Sequence, residues 1–385
     1  MKIGLMMPSV LMAKKYNKRV FAPRELFLQL LEGLDKRGHD ITVYSTPDLD
    51  VSSRLVSGSE IFEKQELYSI KDIYSDDKEA RALLREGYEY EVQLISKALI
   101  DANRRQLDIL HNYFGYFASY FSALSTVPVV TTIHDLVFPK NTFEYQRYNF
   151  TSGANYSTIS KLQKSQYLDN YNINIIDTVY HGIEVSRYDF SFEKGTYLSF
   201  LGRLVEGKGF EDAILSAKQC DIELRFATSE NYKTSTYFEQ SIKPLFTSKI
   251  IEHPFLVGDK EKSEFLKNSI ALLFPIKWQE PFGMVLIEAM ASGCPVIAYA
   301  NGAVPEIVED GVTGFIVNES ENNKTGNWMI QKVGIEGLRE AIGRIGEIDR
   351  RKCREHVEQK FNLEQMIDGY EALYSKVLNI PVGNK

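Results

Sequence analysis

The chain has 385 residues, which is too long for one ordinary hydrophobic core and suits two domains of the usual size. Hydrophobic residues make up 44% of it and charged residues 25%, the proportions of a protein that folds in water. The net charge of −7 argues against a general nucleic-acid binder, although it is compatible with a local basic surface.

Cysteine usage and the N-terminal residues indicate a cytoplasmic protein. The cysteines, Cys220, Cys294 and Cys353, are odd in number and far apart, which predicts reduced thiols. Residues 1–8 lack the cleavage site of a signal peptide, and no apolar run reaches the ~18 residues that span a bilayer. Neither CxxC spacing nor a His/Cys cluster indicates a structural metal.

The N-terminal half begins with a strand–helix–strand pattern. Residues 2–7 and 41–44 are apolar runs typical of buried strands, and a leucine stripe between them predicts a helix from about Pro23 to Gly38. A βαβ unit of this length implies a parallel sheet. The Gly-x-Gly-x-x-Gly loop of dinucleotide dehydrogenases does not follow the first strand, which argues against an NAD enzyme.

His134 is the candidate catalytic residue of this half. A long helix with an apolar stripe that includes Tyr88 leads to a strand at 108–111, and the next strand, 127–133, ends directly before His134 and Asp135. In open parallel sheets, ligands bind at the carboxyl ends of the strands. Asp135 could orient the imidazole, and a purely structural histidine is the alternative.

A second strand–loop–helix series begins after an irregular connection near residue 185. Residues 197–201 predict a strand, and the glycine-rich loop 202–209 that follows carries Arg203 and Lys208. Close backbone approach and fixed positive charge are what a phosphate site requires. A basic turn with solvated side chains is the alternative.

Residues 280–295 form the most distinctive stretch of the chain. Two carboxylates, Glu280 and Glu288, flank an apolar run that ends at Gly293, which predicts a helix buried on every face. An ionised Glu288 left unpaired there would cost several kcal/mol, roughly, so a polar group must meet it. If the whole stretch were helical, the carboxylates would lie roughly 12 Å apart along the axis.

The N-terminal end of this helix offers free N–H groups at Gly283, Met284 and Val285, which favour an anion or sugar hydroxyls. The estimated spacing of the carboxylates is about the reach from a sugar, across a diphosphate, to a ribose. The alternative is a buried helix with one salt-bridged glutamate and one surface glutamate.

Three motifs together give the chain a family resemblance. The chain resembles glycosyltransferase family 4, the retaining enzymes of the GT-B fold, most closely over residues 195–317. The matching residues are Gly202-Arg203…Lys208-Gly209, then Glu280-Pro281-Phe282-Gly283…Glu288-Ala289-Met290-Ala291-Ser292-Gly293, then Pro305-Glu306-Ile307…Gly311…Gly314-Phe315.

The resemblance implies an α/β protein with two Rossmann-like, parallel-sheet domains facing a central cleft. Residues 1–185 would form the acceptor-side domain and residues 186–362 the nucleotide-sugar domain. Residues 363–385, whose helix carries an apolar stripe near Tyr370, would cross back to the first domain.

The resemblance also assigns roles to individual residues. Arg203 and Lys208 would hold the donor diphosphate, and Glu288 the ribose. Glu280 would bind the transferred sugar, with His134 approaching it from the first domain. Further donor contacts would come from the helix entrance and from the stretch expected to hold the base, namely Gly202, Phe282, Gly283, Met284, Val285, Leu256 and Val257.

The implied reaction is retaining transfer of a hexose from a nucleoside-diphosphate sugar to a hydroxyl of a sugar, glycolipid or polysaccharide. A UDP-sugar is favoured and a GDP-sugar is also compatible. No metal or other cofactor is expected, because Arg203, Lys208 and the helix N-terminus would neutralise the leaving diphosphate. Asp48-Leu49-Asp50 matches a metal motif of a different glycosyltransferase fold and is interpreted as chance. The alternatives are a nucleotide-sugar-binding protein without transfer activity and a GT-B epimerase or phosphorylase.

One segment departs from the family pattern. The family usually has a glycine-rich loop after the first strand, whereas residues 13–23 here are basic and aromatic. The segment from Lys14 to Arg24 could contact an anionic acceptor or, peripherally, the inner face of a membrane. A solvated loop is the alternative, and the sequence leaves the oligomeric state open.

Overall fold

The computed structural model describes residues 1–8, 12–13, 22–58, 78–115, 117–228 and 232–379. The chain divides into two compact units. The first comprises Met1–Ile159, Lys164–Val179 and Met366–Lys385, and the second comprises Ser160–Gln163 and Tyr180–Gln365.

The first unit is built on a seven-stranded sheet in which every neighbouring pair is parallel. The strand order is β3-β2-β1-β4-β5-β6-β7, so the chain reverses direction across the sheet between β1 and β4. The strands are β1 (Lys2–Met6), β2 (Asp40–Tyr44), β3 (Arg54–Val56), β4 (Ile109–Asn112), β5 (Val129–Thr132), β6 (Asn155–Thr158) and β7 (Asn174–Thr178).

Helices connect these parallel strands. The helices are α1 (Ala22–Lys36), α2 (Lys78–Asn103), α3 (Phe117–Tyr120), α4 (Phe143–Phe150) and α5 (Lys161–Asn170). The leucine stripe predicted for α1 is confirmed, since Leu26, Leu30 and Leu34 are buried. Gly38 follows the helix with φ of 79°, a conformation that glycine adopts without strain.

The stripe predicted for α2 is wrong at one position. Tyr88 is 46% exposed and packs its ring against Phe117, with the ring centroids 5.3 Å apart. The buried face instead runs through Tyr90, Leu94 and Ala98, because strand β2 and strand β4 lie on that side.

The second unit carries a six-stranded parallel sheet in the order β10-β9-β8-β11-β12-β13. Its strands are β8 (Tyr197–Leu201), β9 (Leu224–Ala227), β10 (Ile250–Glu252), β11 (Ser269–Phe274), β12 (Val296–Tyr299) and β13 (Gly314–Val317). Its helices are α6 (Phe210–Gln219), α7 (Gly258–Lys267), α8 (Met284–Ala291), α9 (Val304–Ile307), α10 (Gly334–Arg344) and α11 (Arg350–Lys360).

The last helix, α12 (Leu363–Leu378), leaves the second unit and belongs to the first unit from Met366 onward. Tyr370 and Tyr374 are fully buried there. The Tyr374 hydroxyl lies 2.7 Å from His111 Nδ1, and Arg37 on α1 pairs with Asp368 and with Glu371 of this helix. These contacts account for the apolar stripe that the sequence shows near Tyr370.

Most of the segment from Lys14 to Arg24 lies outside the described residues. Arg24 itself is largely buried at the start of α1. Within the described part of the chain, no helix is long and apolar enough to cross a membrane.

Candidate functional site

The candidate site of the second unit lies where β8 and β11 end. These strands are parallel neighbours, so the loops that follow them emerge side by side at the carboxyl edge of the sheet. The first loop, 202–209, carries Arg203 and Lys208, and the second, 275–283, carries Glu280. The topology thus brings together segments more than 70 residues apart, as the Lys208–Glu280 separation in sequence shows.

Lys208 and Glu280 form a direct ion pair. Lys208 Nζ donates to Glu280 Oε2 at 2.7 Å, with side-chain exposures of 16% and 14%. The indole Nε1 of Trp278 donates to the same oxygen at 2.9 Å. The family resemblance assigns the lysine to the diphosphate and the glutamate to the sugar, and their direct contact was not predicted from the sequence.

Two glycines make this close packing possible. Gly209 has φ of 69°, and a Cβ there would overlap the Pro275 carbonyl. Gly302 has φ of 67°, and a Cβ there would overlap the Glu280 backbone. Both positions therefore require glycine for conformation and for space. The Ala303 N–H also donates to the Glu280 carbonyl at 2.8 Å, which fixes the backbone that carries the carboxylate.

Arg203 differs from Lys208 in its surroundings. Its side chain is exposed and forms no ion pair with any residue that the structure describes. Gly202, directly before it, continues the β8 backbone and donates its N–H to the Ala227 carbonyl at 3.2 Å. The guanidinium is therefore the cation of this loop that an incoming anion can reach without displacing a protein partner.

The apolar helix predicted after Glu280 is confirmed, with a later start. Helix α8 begins at Met284, directly after Gly283 with φ of 93°, so the chain from Glu280 to Gly283 is not helical and the spacing estimated for a continuous helix does not apply. Met284 and Val285 are half-buried at the helix entrance, and every residue from Leu286 to Ala291 is buried.

Phe282 anchors the entrance of this helix. It is 2% exposed, and its ring packs edge-on against His181 and Phe361 at centroid distances of 5.0 and 6.0 Å. Its side chain is thus committed to the interior, and only its backbone is available to a ligand at the helix N-terminus.

Glu288 is buried inside α8, as predicted, and Lys262 of α7 is its partner. Lys262 Nζ donates to Glu288 Oε1 at 2.8 Å, with the carboxylate side chain 8% exposed and the lysine side chain 26% exposed. The two helices pack against each other, which brings the charges together. The pair satisfies the charge requirement that the sequence imposed on Glu288.

Leu256 and Val257 lie just before α7. Leu256 is buried and Val257 is 46% exposed, and the Val257 N–H donates to Glu261 Oε2 at 2.7 Å. Leu256 lines an open surface cavity of about 640 Å³ together with His253, Phe255 and other residues of this unit. No described contact joins these two residues to Glu280 or Lys208.

His134 lies in the first unit, directly after β5. Its Nε2 is 2.7 Å from the Tyr113 carbonyl, which can only accept, so Nε2 carries the proton and Nδ1 is the basic nitrogen. Burial lowers the pKa of His134 to about 4, and the backbone hydrogen bond opposes this only partly. The imidazole is therefore neutral at physiological pH. Burial also raises the pKa of the neighbouring Asp135 carboxyl.

Glu306, from the third motif, has a defined set of partners within the second unit. Its carboxylate accepts from the backbone N–H groups of Lys161 and Leu162 at 2.9 and 2.6 Å, and from the Tyr180 hydroxyl at 2.6 Å. Burial, followed by the hydrogen bond to this carboxylate, raises the pKa of Tyr180. Glu306 thus holds the start of α5 in place.

Sequence reasoning missed two polar residues of the site, Lys262 and Trp278. Lys262 belongs to a run of alternating charges in α7 that resembles a solvated helix face. Trp278 stands two positions before Glu280. Its closeness in sequence to a candidate carboxylate was the one feature that could have indicated that it belongs to the site.

Two family models match adjacent parts of the chain. Residues 26–187 match the model described as Glycosyltransferase Family 4, and residues 185–347 match the model described as Glycosyl transferases group 1. The junction of the two matches coincides with the connection predicted near residue 185.

Relatives and solved structures agree with these models. An uncharacterized glycosyltransferase of Methanocaldococcus jannaschii, MJ1178, is 25% identical over 74% of this chain and 79% of its own length. Several other curated relatives match over less than half of their own length.

Among solved structures, a sucrose-phosphate synthase from Thermosynechococcus elongatus has a TM-score of 0.71 at 18% identity and covers 98% of this chain and 99% of its own. Anabaena Alr3699/HepE in complex with UDP and glucose has a TM-score of 0.68 at 15% identity and covers 97% and 99%. At these identities the likeness concerns the fold.

Proposed function

Since the chain belongs to the glycosyltransferases of family 4 type, with the GT-B fold, we propose that it is a retaining hexosyltransferase with a nucleoside-diphosphate sugar as donor. The acceptor is a hydroxyl of a sugar, glycolipid or polysaccharide. UDP-sugars are the favoured donors, and the similar fold of a protein solved with UDP and glucose supports this choice.

The observation that carries the proposal is the pair of lysine–carboxylate contacts on one continuous segment. Glu280 and Glu288 stand at the entrance and inside helix α8, paired with Lys208 and Lys262 respectively. A binding site for a diphosphate flanked by two hydroxyl-rich rings needs cations at its centre and hydrogen-bond acceptors on either side. The segment 280–288 supplies the acceptors, and the loop after β8 supplies the cations Arg203 and Lys208.

The leaving diphosphate sets the electrostatic requirement of the reaction. Negative charge accumulates on its oxygens as the bond to the sugar breaks, and preorganised cations and N–H dipoles lower the barrier. We assign this role to Arg203, Lys208 and the N–H groups at Met284 and Val285. A divalent metal is therefore not required. Retention of configuration is compatible with front-face attack and with a covalent intermediate.

The two carboxylates have separate roles in the proposal. Glu288 accepts hydrogen bonds from the ribose, a part of the donor that does not react, and Leu256 and Val257 flank the base. Glu280 binds hydroxyls of the transferred sugar, whose position and charge change during the reaction. His134, neutral and basic at Nδ1, acts on the sugar from the first unit.

A binding protein without transfer activity is the second candidate. The Lys208–Glu280 ion pair is the observation that favours this candidate, because the diphosphate must compete with a carboxylate for the lysine. Donor binding would then be weaker and slower than it would be at a lysine that has no ion-pair partner. Lys208, which is mostly buried but not fully so, and the exposed Arg203 nevertheless remain within reach of an anion.

The experiment begins with a thermal-shift screen of UDP, GDP and their hexose conjugates. Mass spectrometry then tests whether a hexose is transferred to monosaccharide, oligosaccharide and glycolipid acceptors. The proposal predicts stabilisation by one nucleotide class and a product heavier than the acceptor by one hexose. Binding without product would favour the second candidate, and the absence of any nucleotide binding would overturn both.

A further inference from the structure

Trp278 joins the two loops of the candidate site. It stands on the loop after β11, and its ring lies against the glycine-rich loop after β8: a Cβ at Gly207 would overlap the indole. The Gly207 carbonyl also accepts from the Lys277 N–H at 2.8 Å. The backbone of one loop therefore rests on the aromatic ring of the other.

The indole contacts both charged groups at this junction. Its Nε1 donates to Glu280 Oε2 at 2.9 Å. Lys208 Nζ lies 4.6 Å from its ring centroid and donates to the same carboxylate oxygen at 2.7 Å. Phe274 flanks the ammonium at 5.4 Å. The lysine is thus held by a carboxylate and by two aromatic rings at once.

These two contacts of the indole have different consequences when an anion arrives. A diphosphate competes with Glu280 for Lys208, because both are negatively charged. If the lysine changes partner, the Trp278 N–H remains as the donor that keeps Oε2 in place. The aromatic ring, which carries no charge, can attract the ammonium whichever anion it pairs with.

We propose that Trp278 is a positioning residue for sugar transfer, an inference that rests on the proposed function. Its N–H holds the Glu280 carboxylate in its binding orientation, and its ring keeps Lys208 at the junction while the lysine exchanges Glu280 for the donor diphosphate. Trp278 acts through these two residues and does not touch the reacting atoms.

A purely structural tryptophan would behave differently under substitution. Trp278→Phe retains a ring beneath Gly207 and Lys208 but removes the N–H, so it separates the two roles. If the ring only fills space, phenylalanine should preserve activity. If the N–H orients Glu280, phenylalanine should slow the transfer and leave binding of the diphosphate nearly intact.

Trp328 is the matched control, since it is the other tryptophan of the chain and also belongs to the second unit. Its indole nitrogen is buried and has no hydrogen-bond partner among the described residues. Trp328→Phe therefore removes an indole N–H of the same kind without removing a contact to a carboxylate.

The experiment measures UDP binding by calorimetry and UDP release from UDP-glucose at saturation for the unaltered protein, Trp278→Phe, Trp278→Leu and Trp328→Phe. Trp278→Phe should lower kcat about tenfold to a hundredfold, as expected for losing one hydrogen bond to a charged group, with the Kd for UDP changed less than about threefold. Trp278→Leu should weaken UDP binding as well, because Lys208 loses its ring. Trp328→Phe should match the unaltered protein.

A second readout follows the indole directly. In the Trp328→Phe background, the remaining tryptophan fluorescence comes from Trp278, and saturating UDP should change it when Lys208 turns to the diphosphate. In the same background, Lys208→Met should abolish that change. Full turnover in Trp278→Phe, or an equal loss of turnover and UDP affinity, would overturn this inference alone. Failure of the unaltered protein to bind UDP, or to release it from any UDP-hexose of the screen, would overturn the proposal of a UDP-sugar donor together with this inference.

Discussion

The two units bury polar side chains by different means. The second unit pairs opposite charges: Glu288 with Lys262 at 2.8 Å, and Glu280 with Lys208 at 2.7 Å. The first unit has a partly buried ion pair as well, Arg37 with Glu371, but beneath helix α12 it buries neutral groups in a connected network. In it, His111 lies 2.7 Å from the Tyr374 hydroxyl and 2.8 Å from Thr132 Oγ1, and Thr132 Oγ1 lies 2.9 Å from Ser157 Oγ.

This difference indicates different tasks. A charge pair can exchange one partner for a charged ligand, which is what the proposed binding of a diphosphate by the second unit requires. A neutral network has no positive charge to attract an anion. It fixes helix α12, which supplies Tyr370 and Tyr374 to the first unit. The pairs should therefore respond to removal of a charge, and the network should respond to addition of a proton.

The largest effect should follow from Lys262→Met. The substitution leaves the Glu288 carboxylate buried without its cation, at a cost of about 3 kcal/mol in the free energy of unfolding. Chemical denaturation at pH 8 should show this loss. Lys262→Arg should restore most of the stability.

Lys260→Met is the matched control for this prediction, since Lys260 lies on the same helix with an exposed side chain. If Lys262→Met were no less stable than Lys260→Met at pH 8, the ion pair with Lys262 would not be what stabilises the buried Glu288 carboxylate inside α8.

The neutral network should produce a smaller, pH-dependent effect. Burial, followed by the charge of His134, lowers the pKa of His111 to about 3, whereas an unfolded histidine titrates near 6.5. The unfolded state therefore binds the proton first, so stability is complete above pH 6.5 and falls as the pH decreases. His111 alone should remove about 2 kcal/mol between pH 7 and pH 5.

His111→Gln should be less stable than the unaltered protein at pH 7 but should lose less stability on acidification. Hydrogen exchange along residues 366–378 locates the effect, since Tyr374 contacts His111 directly. Equal pH slopes for the two proteins between pH 7 and pH 5 would show that His111 does not titrate as a buried, neutral group.

Removal of divalent metal ions should leave the transfer activity unchanged. Arg203 and Lys208 are proposed to neutralise the leaving diphosphate without a metal, so transfer activity should survive excess EDTA. Complete loss of activity that Mg²⁺ or Mn²⁺ restores would contradict this assignment, and the same assay in added Mn²⁺ without EDTA provides the reference rate.

Much of the fold was predictable from the sequence because its physical causes are local. The apolar runs of β1 and β8, the leucine stripe of α1 and the glycines after β8 determine strands, helix and turn within a few residues. The burial of Glu288 was predictable for the same reason, since the apolar residues of α8 surround it on every side of a helix.

The parts that could not be predicted depend on contacts between distant segments. Lys262 belongs to a helix whose charges look solvated, and only the packing of α7 against α8 turns one of them toward Glu288. Strand β3, Arg54–Val56, is too short to show a period. Tyr88 fits a helical stripe by spacing, yet the partner strands lie on another face of α2.

Calorimetry combined with steady-state kinetics can show whether the two carboxylates, Glu280 and Glu288, have separate roles. UDP binding is measured for Glu280→Gln and Glu288→Gln and compared with kcat at saturating UDP-glucose. Glu288→Gln should weaken UDP binding by about 1.5–3 kcal/mol. Glu280→Gln should lower kcat by a similar free energy but bind UDP at least as tightly as the unaltered protein, because Lys208 then has no carboxylate competing with the diphosphate. Loss of UDP binding in Glu280→Gln, with binding intact in Glu288→Gln, would show that the roles assigned to the two carboxylates are reversed.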